Sequence, residues 1–107
     1  MLTNQKGLYK GVINMSVVIV GGNERMERQY TNICKDFGYK AKVYTKESSS
    51  MKKKMGNPDL LIVFTGTVSH KMMMSASKEA KDKNVPIAHV HSSSASALKS
   101  ALAEICA

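Results

Sequence analysis

The chain has no tryptophan, and aromatic residues make up only 6% of its 107 positions. The alternation of basic and stacking side chains that single-strand nucleic-acid binders use is therefore missing. Acidic residues are scarce too, 8 against 16 lysines and arginines, which leaves a formal charge of +8. Such a balance favours phosphates, nucleic acid or acidic surfaces as partners. The charge is dispersed along the sequence, however. Its one dense run, Lys52-Lys53-Lys54, reads as a solvated face more readily than as a nucleic-acid contact. There are two cysteines, Cys34 and Cys106, with no C-x-x-C spacing, so neither a disulfide framework nor a cysteine metal or redox site is indicated. No apolar run approaches the roughly 20 residues that span a bilayer. The first 14 residues also lack the continuous apolar centre of a secretory signal, and a cytoplasmic location is expected. A chain of 107 residues makes one small domain, with no room for a separate catalytic one.

What is present is organised around Leu60-Leu61-Ile62-Val63-Phe64. Five apolar residues bounded by polar punctuation are too short for a buried helix and read as a strand covered on both faces. Val17-Val18-Ile19-Val20, before Gly21-Gly22, is a second buried strand. Ala41, Val43 and Thr45 alternate with Lys42, Tyr44 and Lys46, the pattern of a half-exposed edge strand. Ile87-Ala88-His89-Val90 is the fourth.

Helical spacing appears over Glu24 to Phe37 (Met26, Tyr30, Ile33, Cys34, Phe37 inward), with Asn23 as N-cap and Gly38 as terminator. It recurs from His70 to Lys83, with Met73, Ala76, Ser77 and Ala80 inward, and from Ala95 onward, with Leu98, Ala101, Leu102 and Ile105 inward. A short basic helix is expected over Met51–Met55. Strands alternating with helices give an α/β domain: a small three-layer Rossmann- or flavodoxin-like fold with a four-stranded parallel sheet in the order 2-1-3-4, over residues 15–107. Residues 1–14 read as an extension. In such a sheet ligands sit at the carboxyl ends of the strands, at the switch point between the first and third.

Three turns fall there. Gly21-Gly22-Asn23 can either offer backbone N–H groups to an anion at a helix N-terminus or merely allow a tight strand-to-helix turn. Thr65, Thr67, Ser69 and His70 form the second turn; Ser69 can serve as a cap, while His70 sits where the helix dipole favours a neutral imidazole. The third carries His91 with Ser92, Ser93 and Ser94, again either a cap or a site. Arg25 and Lys71 stand near the rim. Together these suit a small anionic or phosphorylated ligand, or a metal on His70 and His91, which would need a third ligand from elsewhere.

A receiver domain is excluded, because Gly21, Gly22 and Thr65 occupy the positions where it needs acids. A P-loop, a complete dinucleotide fingerprint and a Ser-His-acid set are likewise missing. The segments Val17–Met26, Gly56–Ile62, Thr65–Met72 and His91–Ser94 resemble the bacterial family known as domain of unknown function 2325, over about Met15 to Cys106. The resemblance implies a small cytoplasmic Rossmann-like domain and places Gly21, Gly22, Ser69, His70 and His91 at the family's motif positions; it implies no reaction.

The expectation is a non-catalytic ligand-binding or regulatory module holding a small anion at the carboxyl edge of its sheet. The alternatives are a metal- or haem-binding protein, or a small hydrolase, using His70 and His91; nucleic-acid binding through Lys52–Lys54 ranks below both. Cofactor identity is left open, and a homodimer in contact through Met72, Met73 and Met74 is expected because three consecutive methionines do not all fit one core.

Overall fold

The apolar run at the centre of the sequence forms strand β3, Leu60–Phe64, and all five of its side chains are buried. A strand can bury consecutive residues only if both faces of its sheet are covered, and both are. In this computed structural model, which describes residues 15–46 and 56–106, β1 (Met15–Val20) and β3 form the middle of a parallel sheet. β2 (Tyr39–Tyr44) and β4 (Ile87–Val90) lie at its edges, in the order β2-β1-β3-β4. The expected extension over residues 1–14 and the short helix over Met51–Met55 lie outside the described residues.

Strand alternation divides the core in two. Val17, Ile19, Leu60, Ile62 and Phe64 face α1 (Glu27–Asp36) and α3 (Ala95–Cys106), packing with Tyr30, Ile33, Cys34, Leu98 and Leu102. Val18, Val20, Leu61 and Val63 face α2 (His70–Asp82), packing with Met72, Ala76 and Ala80. The inward stripe of α2 is thus centred one residue earlier than the sequence predicts: Met72 is buried, whereas Met73 and Ser77 are half-buried at its flank. Small Ala76 and Ala80, at i+4 and i+8 from Met72, let the helix approach the sheet closely and draw that methionine beneath it. Met74 is left 58% exposed.

The first helical turn also differs from expectation. Glu24–Met26 is a single 3-10 turn, and only from Glu27 does the chain become α-helical. The Asn23 side chain caps this tighter turn by accepting from the Arg25 N–H. At the other end of the sheet Asp59 clamps β1, its carboxylate and amide both bonding the Ser16 backbone at 2.8 and 2.7 Å.

Candidate functional site

At the carboxyl edge of the sheet the Gly21-Gly22-Asn23 turn does not leave its amides open, as an anion cradle would require. Gly21 N–H donates to the Tyr44 carbonyl (2.9 Å), which carries the β1–β2 ladder past the end of the strand. Gly22 N–H donates to Thr67 Oγ1 (2.9 Å), and Asn23 N–H to the Tyr30 hydroxyl oxygen (3.2 Å). Of the two readings of the glycine pair, these hydrogen bonds favour the tight turn. Both glycines have positive φ, +93° and +91°, a conformation open to them because they lack Cβ.

The turn after β3 joins the edge together. Its Thr67 hydroxyl receives Gly22, and a Cβ at Gly21 would lie 3.0 Å from the Val68 Cβ. On the opposite side Thr65 N–H bonds the Val90 carbonyl (2.9 Å) and Gly66 N–H the His91 carbonyl (3.1 Å). Gly66 is required by close approach: a Cβ there would meet the His91 carbonyl oxygen at 2.5 Å and the imidazole Cε1 at 3.4 Å. The His91 ring is accordingly seated against bare backbone. Ser69 then caps α2, its hydroxyl accepting from the Met72 N–H (3.2 Å) and its carbonyl from the Met73 N–H (2.9 Å). His70 begins the helix with its side chain exposed.

The third turn is bound to the first by a residue that sequence reading places only in the core. Tyr30 is fully buried, and its hydroxyl donates to the Ser93 carbonyl at 2.6 Å while accepting from Asn23. One phenol thereby links the turns after β1 and β4, and its ring lies 5.1 Å from that of Phe64. The signal was a tyrosine, rather than a phenylalanine, at an inward helix position, since a buried hydroxyl demands partners. Ser94 caps α3 through the Ala97 N–H (3.2 Å), and Ser92 Oγ accepts from the Ser94 N–H (3.3 Å).

The expected residues therefore assemble on one edge but divide by role. Gly22, Asn23, Thr67 and Ser93 are engaged in tying the turns together, Gly21 bonds the end of β2, and Ser69 caps α2. Arg25, His70, His91 and Ser92 have exposed side chains on the resulting rim, and Thr65 is half-buried beside them. Among the described residues no group of three His, Cys, Asp or Glu could hold a metal ion. No helix among them is long and apolar enough to cross a membrane. A cavity of about 280 Å³ lies at the amino end of the sheet, lined in part by Ser16, Lys40, Lys42 and Pro58, away from this edge.

Cys34 packs in the core beneath α1, and burial pushes its thiol up to about 11 from 9.0. A raised thiol pKa holds the folded state's proton, so this contribution to stability is complete below pH 9 and is lost as the pH climbs toward 11. The Cys34→Ala variant should lose less stability than the natural chain over that interval in urea unfolding. The native thiol should also resist alkylation at pH 8 until the chain unfolds.

No curated protein and no solved structure matches the chain. The family model described as "Uncharacterized protein conserved in bacteria (DUF2325)" matches residues 16–105, nearly the whole described domain, with all three turns inside the match. By that match, the chain belongs to the bacterial DUF2325 family.

Proposed function

We propose that this protein is a binding or regulatory module that holds a small anionic, phosphate-bearing ligand at the carboxyl edge of its sheet. The observation that carries this reading is the locking of three strand-to-helix turns into one rim, through Gly22 to Thr67, Gly66 to His91 and Tyr30 to Ser93. Side chains held on such a frame meet a ligand with little ordering cost. The ligand contacts are Arg25, His70, His91 and Ser92, aided by the positive ends of the helices that begin at His70 and Ala95. The glycine amides serve the frame instead, because an anion on them would have to displace the Tyr44 carbonyl and the Thr67 hydroxyl.

Titrating the full chain with inorganic phosphate while recording amide and imidazole NMR signals tests this. Resonances of His70, His91 and Arg25 should move, with Gly21 and Gly22 nearly still. Substituting both histidines (His70→Gln with His91→Gln) should weaken binding about tenfold or more, the loss expected for hydrogen bonds to a charged group. Unfolding should stay unchanged in that variant, since both side chains are exposed. Unmoved histidine signals, or shifts centred on the glycine pair, would defeat the reading.

A further inference from the structure

The two outer strands of the sheet are unlike. β2 carries exposed Lys40 and Lys42, and lysine on an edge strand discourages pairing with another chain. β4, Ile87-Ala88-His89-Val90, carries no Lys, Arg, Asp or Glu, and Ile87, Ala88 and Val90 are each half-buried. Among the described residues no strand lies beyond it. Its pairing with β3 fixes which backbone groups remain on the outside. The Pro86 carbonyl accepts from the Leu61 N–H and the Val90 carbonyl from the Thr65 N–H, so residues 86, 88 and 90 turn their backbone polar groups toward β3. The N–H and C=O groups of Ile87 and His89 therefore point outward. A proline on an edge strand guards it when the missing donor faces solvent, but Pro86 lacks its donor on the β3 side. The outward donors of β4 are all retained.

We infer that β4 is the contact through which two copies of this chain associate, antiparallel about a two-fold axis, so that their sheets join into one. The open groups are backbone donors and acceptors in a row, which another extended chain satisfies together. They also allow a self-complementary register. Ile87 of each copy stands opposite His89 of the other, and each such pair exchanges both of its N–H···O bonds. Ala88 then meets its own equivalent on the axis, at the closely spaced, non-hydrogen-bonded position, where a methyl group fits without strain. The first 14 residues of the chain make a poorer partner strand, because Gly7 and Gly11 interrupt them. The methionines of α2 offer little apolar contact: Met72 is buried and Met73 half-buried, which leaves Met74 as the one large hydrophobic residue exposed among those described. A four-residue strand covers a small area, so the dimer is a weak one, with a Kd of about 10–100 µM. Antiparallel pairing sends the two carboxyl-edge rims to opposite ends, and association is independent of ligand binding there.

Sedimentation velocity of the full chain over about 5 to 500 µM provides the test, and the mass should rise from monomer toward dimer across that range. His89→Pro removes a donor that only the second copy uses and leaves the ladder to β3 whole; association should weaken about tenfold or more. His89→Lys probes the same contact at an exposed position without altering the backbone, and the inserted charge should weaken association likewise. Met74→Lys should leave association unchanged. Amide hydrogen exchange at Ile87 and His89 should slow as the protein concentration rises. A chain that stays monomeric throughout, or both His89 variants associating like the natural chain, would overturn the inference. So would loss of the dimer in Met74→Lys, or slow exchange of the two amides that does not vary with concentration, the sign of an edge covered from within the chain.

Discussion

Replacing Tyr30 by alanine is expected to leave little or no cooperative unfolding transition. The side chain is fully buried, packed on Phe64 and bonded at its hydroxyl to two different turns. Truncating a buried ring costs about 3–5 kcal/mol in lost packing and residual cavity. Leaving the Asn23 N–H and the Ser93 carbonyl without their partner adds about 1–3 kcal/mol for each group that stays dry. Against a total stability of about 5–15 kcal/mol, with small domains toward the lower end, the sum is most of what holds the fold. Tyr30→Phe separates the two contributions. It preserves the ring and removes only the hydroxyl, so urea unfolding should show a loss of about 1–3 kcal/mol with an unchanged m-value. A Tyr30→Phe protein as stable as the natural chain would show that the phenol bridge contributes nothing, and the account of how the first and third turns are joined would have to be withdrawn.

The second large effect is expected at Gly22. An alanine there would hold a β-carbon 2.9 Å from Tyr30 Cε2 and 3.0 Å from both the Tyr30 hydroxyl and Phe64 Cδ2, on a backbone with φ of +91°. Two costs combine: about 1–3 kcal/mol for forcing a side chain into that conformation, and about 1–3 kcal/mol for overpacking a filled core. Gly56 supplies the internal comparison. Its φ is +62°, and a β-carbon there meets nothing within 4 Å, so Gly56→Ala isolates the backbone term. Gly22→Ala should therefore lower the urea midpoint clearly more than Gly56→Ala does. Equal losses would mean that Tyr30 and Phe64 move aside at little cost and that the edge is looser than its hydrogen bonds indicate.

These two positions show where sequence reasoning reaches its limit. The pattern at Val17–Val20 and Leu60–Phe64 identified the two central strands, because a strand buried on both faces has almost no other composition open to it. The alternation of Ala41, Val43 and Thr45 with Lys42, Tyr44 and Lys46 placed the second strand at an edge for a similarly local reason, although β2 itself runs two residues earlier, Tyr39–Tyr44. His70 and His91 were legible as rim residues, since each directly follows the end of a strand or opens a helix. The engagement of Gly22 was not legible, because its partner Thr67 lies 45 residues away and nothing in a Gly-Gly pair states whether its amides will find protein acceptors. Tyr30 was recognised as an inward residue, but the 63-residue link from its hydroxyl to Ser93 appears only once both helices dock on the same side of the sheet.

The sequence alone determined the order of strands and helices, the edge at which the polar turns gather and the excess of positive charge. Those follow from local periodicity, from the right-handedness of crossovers and from composition, none of which needs distant contacts. The tertiary structure decided which of the gathered polar groups remain exposed and which are taken up by partners across the fold. That is settled by pairing across the fold, since an amide is engaged or left open according to what packs beside it.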